Sequence, residues 1–288
     1  MDSLPAMNDK VVLITGATDG IGRITAEHLA AAGAKVVLVG RNPNKTEQVA
    51  RAIGEQYGPE KVDTLLADLS VQSQVRALAD AFIARYQRLD VLINNAGAVF
   101  MNRKVSADGI EITFALNHLA YFLLTNLLLE RLVSSAPARI VNVSSDAHQA
   151  ARLDLNDLEN RRAFSGFKVY SQSKLANVLF TYELARRMQG RGVTVNALHP
   201  GFVATNFGVS NGGFFRPLFR LLQLAAIKPV EGARTTLYLA SSPDVAGVSG
   251  QYFAKEKAVR STAASYDEDT ARRLWEVSAQ MTGLKETV

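Results

Sequence analysis

The 288-residue chain contains no cysteine. That excludes disulfides, thiolate catalysis and cysteine-built zinc sites, and it leaves the redox compartment undetermined. Tryptophan occurs once and histidine four times, and no cluster of His, Asp and Glu suggests a metal site. Long apolar runs are also lacking. The best candidate, "LAYFLLTNLLLERLV" (119–133), is interrupted by Asn126, Glu130 and Arg131 and reads as a buried helix rather than a membrane span. The opening "MDSLPAMNDK" is too polar for a secretory signal, so no stable membrane insertion and a cytoplasmic location are expected. Basic residues exceed acidic ones, for a formal net charge of +5, yet they are scattered, and no basic run is longer than a pair such as Arg161-Arg162. With no basic stripe interleaved with aromatics, nucleic acid is not an expected partner, and a small anionic ligand suits the charge better.

Nearly half of the residues are apolar and a fifth are charged, the balance of a globular chain with a sizeable core. Apolar, β-branched runs at 10–15, 35–39, 62–67, 89–94, 138–144, 193–198 and 250–253 alternate with segments of helical period at 21–32, 44–57, 71–87, 109–135, 168–189, 229–241 and 266–281. Nearly continuous apolar strands mark a parallel sheet covered on both faces. The alternation predicts an α/β fold of the Rossmann type, a doubly wound sheet of about seven strands with helices on both faces. No linker, low-complexity tract or fixed-period repeat interrupts it, so residues 1–288 read as one domain ending in a helix at 266–281. Residues 202–228 are rich in Phe and Leu behind the Gly212-Gly213 pair. They read either as a lid over an apolar substrate or as an extra core helix.

"TGATDGIG" (15–22) lies between the first strand and the first helix. Gly16, Gly20 and Gly22 stand where the chain must turn tightly, and amides there, with Thr18, Asp19 and Ile21, can receive the pyrophosphate of a dinucleotide. At the end of the second strand a carboxylate would hold the ribose hydroxyls and repel a 2′-phosphate. The chain has Gly40 and Arg41 instead, which points to NADP(H) over NAD(H); Arg41 also reads as a solvated loop residue. Arg23 reads as an assistant cation or a surface charge. Asp68, followed by Leu69 after the third strand, is expected to take the adenine amino group, or else to serve as a turn acid beside Ser70. "NNAG" (94–97) closes the fourth strand. Asn95, Ala96 and Gly97 would line the adenosine half, with Asn94 tying backbone segments together.

"YSQSK" (170–174) sets a phenol and an ammonium four residues apart, on one face of a helix. In a cleft the ammonium would lower the phenol's pKa and make it a usable proton donor. On a solvated surface the pair would be incidental.

Taken in order, "TGATDGIG", "NNAG", "NHLAYFLLT", "IVNVSS", "YSQSK" and "HPGFVAT" resemble the short-chain dehydrogenase/reductase family over residues 8 to 255. Within it, "RIVNVSSDAH", "SKLANVLFTYELARRM" and "ARRLWEVS" look most like the retinol dehydrogenase and carbonyl reductase branch. The resemblance implies a tetrad of Asn117, Ser145, Tyr170 and Lys174. Tyr170 would act as general acid or base, lowered from its usual pKa of about 10 by Lys174 and by the charge of an oxidised nicotinamide. Lys174 would also grip the nicotinamide ribose. Ser145, rather than Ser144, would steady the substrate oxygen, and Asn117 would hold a water that passes protons onward. Pro200, Gly201, Val203 and Thr205 would shape the nicotinamide end, while His199 and His148 read as structural. The expected reaction is NADP(H)-dependent interconversion of a lipophilic carbonyl and its alcohol. Reduction of a conjugated carbon–carbon bond and a silent nucleotide-binding scaffold are the alternatives. Helices 109–135 and 168–189 resemble those that pair family members into homodimers or homotetramers, or else their apolar stripes pack on the sheet.

Overall fold

The computed structural model describes residues 4–201 and 229–285; the expected lid, Val203 and Thr205 lie outside them. Among the described residues the strands are β1 (Val11–Thr15), β2 (Lys35–Gly40), β3 (Val62–Leu66), β4 (Val91–Asn94), β5 (Ala138–Val143), β6 (Val193–His199), β7 (Tyr252–Ala254) and β8 (Lys257–Val259). They form one sheet in the order β3-β2-β1-β4-β5-β6-β7-β8. All pairings are parallel except β7–β8. The order reverses between β1 and β4, and the crevice above that switch point is where such sheets hold ligands.

The helices are α1 (Gly20–Ala31), α2 (Pro43–Tyr57), α3 (Gln72–Arg85), α4 (Ile112–Ser134), α5 (Gly166–Arg187), α6 (Pro229–Ser241) and α7 (Glu268–Thr282). Successive strand residues point to opposite faces, and the two halves of the core follow that rule. Val12 and Ile14 pack with Leu29, Ile53 and Leu237 of α1, α2 and α6. Leu13 of the same strand packs with Phe82, Leu128, Phe180 and Trp275 of α3, α4, α5 and α7. The single-domain α/β fold with a mostly parallel sheet is therefore as expected.

One correction and two details extend the sequence reading. The sheet has an eighth strand, β8, an exposed three-residue edge running back along β7. Its turn is Lys255-Glu256, both with positive φ (50° and 61°). Such two-residue hairpin turns normally carry Asn-Gly or Asp-Gly, so neither residue signals a turn. The apolar faces of α4 and α5 pack largely within the chain, the alternative the sequence left open. In α4, 78% of the apolar window is buried, and α7 covers α5 with Trp275 stacked on Phe180 at 5.7 Å. The length and composition of α4 would suffice to cross a membrane, but this burial makes it a core helix. A π-turn at Ala115–Leu119 interrupts α4; such turns gather at functional positions.

Candidate active site

The turn between β1 and α1 is held from below by β4. Gly16 has φ 64°, and a side chain there would lie 2.9 Å from Ala96 Cα, so the turn needs glycine on both counts. A side chain on Gly22 would run into the Gly16 carbonyl. Thr15 Oγ1 is buried, accepts the amides of Asn95 (2.8 Å) and Ala96 (3.0 Å), and donates to the Ile93 carbonyl (3.3 Å). Asn95 Nδ2 donates back to the carbonyls of Thr15 (2.8 Å) and Gly16 (3.2 Å). The tying role expected of Asn94 thus belongs to Asn95, with Thr15 as a partner the sequence reading passed over. Asp19 caps α1 by accepting from Gly20 N–H at 2.8 Å, leaving a loop of small residues at a helix N-terminus. Thr18, Gly20 and Ile21 border it, all partly exposed.

Toward the adenosine end, a side chain on Gly40 would run into Thr46 Oγ1 and lie 2.7 Å from Thr18 Cγ2. Thr46 is itself fixed by its bond to the Asn42 carbonyl (2.8 Å), so a carboxylate has no room there. Arg41 is largely exposed and faces Asp68 at 3.7 Å. Asp68 accepts both the amide (3.0 Å) and the hydroxyl (2.7 Å) of Ser70, the turn-acid arrangement, and keeps its other oxygen toward Arg41. Leu69 is a core residue, so it can offer a ligand only its backbone. Arg23 pairs with Glu27 one turn along α1 (2.7 Å). A cation not singled out in the sequence, Lys45, stands nearby and pairs with Asp19 at 2.8 Å. Its place in the first turn of α2, four residues after Arg41, was the available signal.

At the other end of the crevice α5 brings Tyr170 and Lys174 together, and the β5 terminus supplies the serines. Ser145, partly exposed, stands beside the Tyr170 phenol and lowers its pKa, while its Oγ accepts the Ala147 amide at 3.2 Å. Ser144 is buried and donates to the Lys174 carbonyl at 2.8 Å, so Ser145 is the serine that faces the crevice. Lys174 Nζ donates to the Val143 carbonyl (3.0 Å) and lies 5.7 and 5.8 Å from the ring centres of Tyr170 and Tyr121. A side chain on Gly97 would lie 3.3 Å from Asn117 Oδ1 and 3.4 Å from Lys174 Nζ, so Gly97 keeps open the space over both. The crevice therefore suits a dinucleotide laid from Gly16 to Lys174.

The expected lowering of the phenol is not what the protein's own groups produce. Burial pushes Tyr170 up to about 12, opposed only by the neighbouring Ser145 hydroxyl. The same burial pushes Lys174 down to about 7. Desolvation disfavours each charged form, so burial raises the phenol and lowers the amine. Tyr121, fully buried beside them and also raised by burial, has no hydrogen-bond partner for its hydroxyl among the described residues.

Asn117 sits in the π-turn. Its side chain accepts the Ala98 amide (2.9 Å) and donates to the Ala98 carbonyl and Ser173 Oγ (both 3.0 Å). It thereby staples the loop after β4 to α5. Its carbonyl accepts Asn177 Nδ2 at 2.9 Å. A buried polar ladder continues from there. Asn177 O accepts Thr181 Oγ1, Asn142 Nδ2 donates to that hydroxyl, and Asn94 Nδ2 donates to Asn142 Oδ1. After β6, Pro200 and Gly201 (φ 91°) are partly exposed. His199 Nε2 pairs with Asp146 at 2.9 Å, while its Nδ1 accepts from Asp146 N and Gly201 N, so it is structural as expected.

A switch-point crevice floored by a glycine turn and ending in a buried Tyr–Lys pair defines a dinucleotide-dependent oxidoreductase. Comparison with known proteins agrees. The short chain dehydrogenase family model matches residues 10–212. Retinol dehydrogenase 14 of Mus musculus is 45% identical, covering 96% of this chain and 87% of its own length. A putative uncharacterized protein from Mycobacterium paratuberculosis superposes with a TM-score of 0.80 at 35% identity, covering 99% of this chain and 97% of that one. A putative short chain dehydrogenase from Escherichia coli CFT073, solved in complex with NADPH, has a TM-score of 0.70 at 27% identity, covering 89% of this chain and 100% of that one. The chain belongs to the short-chain dehydrogenase family, in its retinol dehydrogenase-like branch, and is an oxidoreductase acting on CH–OH groups with a nicotinamide dinucleotide.

Proposed function

We propose that the protein is an NADP(H)-dependent oxidoreductase that interconverts a lipophilic aldehyde or ketone and its alcohol, with Tyr170 as the proton donor or acceptor. The observation that carries this reading is the convergence of Tyr170, Ser145 and Lys174 at the end of a glycine-floored crevice. Gly16, Gly20 and Gly22, with Thr18, Asp19 and Ile21, would hold the pyrophosphate. Asn95, Ala96, Gly97, Pro200 and Gly201 would border the rings, and Lys174 would meet the nicotinamide ribose. The bound dinucleotide supplies or accepts the hydride.

The protein's residues manage the oxygen. Ser145 holds it by hydrogen bonding as negative charge develops. The Tyr170 hydroxyl gives it a proton in the reducing direction and takes one back in the oxidising direction. With a pKa near 7, Lys174 exchanges protons readily at neutral pH. Any positive charge brought beside the phenol opposes the effect of burial and moves Tyr170 down toward the working range.

Two features support the finer assignments. The blocked Cβ direction at Gly40, with Arg41 and Lys45 beside it, favours a 2′-phosphate over a bare ribose. Phe167, more than half exposed one turn before Tyr170 and edge-on to it at 6.5 Å, offers an apolar platform beside the reacting atoms. The name of the retinol dehydrogenase relative fits that platform.

The test is a panel of retinal, simple ketones and enones, followed at the reduced-nicotinamide absorbance with NADPH and NADH in parallel. Tyr170→Phe should cost about 10³-fold or more in kcat while cofactor still binds. Unchanged turnover in that variant would refute the central assignment, a preference for NADH would refute the 2′-phosphate reading, and saturated carbon–carbon products would favour the enone alternative.

A further inference from the structure

His148 follows Ser145 by three residues and is completely buried, although its sequence context marks it only as a loop residue. Both ring nitrogens are committed. Nδ1 lies 2.7 Å from the Ser145 carbonyl, which can only accept, so Nδ1 carries the proton. Nε2 lies 3.2 Å from the Thr262 amide, which can only donate, so Nε2 carries the lone pair. The backbone amide of His148 also donates to the Ser145 carbonyl, at 3.0 Å, so one residue grips that oxygen twice. The ring packs on Tyr252 of β7 (centroids 4.8 Å apart), and the Tyr252 hydroxyl donates to Asp146 at 3.4 Å. Thr262 caps the short 3₁₀ turn Ala263–Tyr266 that leads directly into α7.

We propose that His148 is a positioning residue for the Ser145 hydroxyl, fixing the Ser145 peptide against the C-terminal segment so that Oγ stays aimed at Tyr170 and the substrate oxygen. The inference rests on the active-site reading above. Ser145 is extended (φ −161°, ψ 152°), and its side-chain direction follows from the orientation of its peptide. Among the described residues, the imidazole is the one side chain whose hydrogen bonds join that peptide to the segment entering α7. A catalytic hydrogen bond displaced by a fraction of an ångström loses much of its value in the transition state. His148 therefore acts through Ser145 and touches neither substrate nor cofactor.

The test is a double-mutant cycle on the full chain with NADPH and the panel aldehyde that the parent reduces fastest. His148→Leu should lower kcat about 10- to 100-fold with cofactor KM within about twofold, and in a Ser145→Ala background the same change should cost less than about twofold. His148→Asn, whose amide can stand where Nδ1–H stood, should recover part of the loss. Thr262→Pro provides a route that leaves the histidine in place. Thr262 has φ −62°, which proline accepts, and the amide bonded to Nε2 is removed. It should lower kcat about 3- to 10-fold in the parent and leave the Ser145→Ala protein unchanged. Equal losses in both backgrounds, or an unchanged kcat in His148→Leu and Thr262→Pro, would overturn the proposal. A Ser145→Ala protein with undiminished kcat would overturn the serine's own assignment, and this inference with it, while turnover by the parent and its loss in Tyr170→Phe would still stand.

Discussion

Replacing Lys174 by methionine should yield a protein that is inactive and more stable. Lys174 is 97% covered in a site built largely of apolar and aromatic groups, and burial holds its pKa near 7 against an ordinary 10.5. Its folded pKa lies below its unfolded pKa, so between pH 7 and 10.5 the unfolded chain binds a proton that the folded chain does not. Stability of the parent must therefore rise with pH across that window. Below about pH 7 both states are protonated and the full cost of burying the charge is present, about 4–5 kcal/mol at about 1.4 kcal/mol per pKa unit. Methionine removes that cost and fills similar volume, but it strands the Val143 carbonyl that Nζ had bonded, at about 1–3 kcal/mol. The net gain is about 2 kcal/mol at pH 6–7, falling toward zero near pH 9. Urea unfolding of nucleotide-stripped protein at pH 6, 7, 8 and 9, read through the fluorescence of the single tryptophan, Trp275, measures this directly. A variant less stable than the parent at pH 7, or a stability difference that does not change with pH, would refute the reasoning.

Other predictions concern the cofactor end. Arg41→Ala should raise the NADPH KM about 10-fold and leave the NADH KM within about twofold, because the lost contact is to a phosphate that NADH lacks; equal effects on both cofactors would count against the assignment. Thr15→Val keeps the shape but leaves the Asn95 and Ala96 amides without their acceptor. It should destabilise the fold by about 2–4 kcal/mol in chemical denaturation and weaken nucleotide binding in calorimetry, since the turn it supports is the phosphate loop.

Most of the sheet was legible because a parallel sheet covered on both faces writes itself as apolar runs, and seven of its strands do so. The eighth did not, because it is three exposed residues whose turn is made by Lys255 and Glu256. Tyr170, Lys174 and Ser145 could be placed because helical spacing and strand ends locate side chains coarsely. The fine contacts could not. Which of Asn94 and Asn95 ties the turn depends on which face of the β4 terminus each residue occupies, a difference of one position. That Arg41 meets Asp68 depends on β2 and β3 being neighbours, a long-range pairing absent from any local window. The direction of the phenol's pKa required burial, and a sequence shows only the neighbouring ammonium. His148 looked bland because its partner, Thr262, is 114 residues away.

The asparagine–threonine ladder running from Asn94 to Asn177 and on to the Asn117 carbonyl restricts how this protein can drift. Each rung borrows a hydrogen bond from the next, so an aliphatic side chain at Asn142 would take one partner each from Asn94 on β4 and Thr181 on α5. Lineages should therefore exchange these positions as a set, and a designer repacking the interior would do well to treat them as one unit.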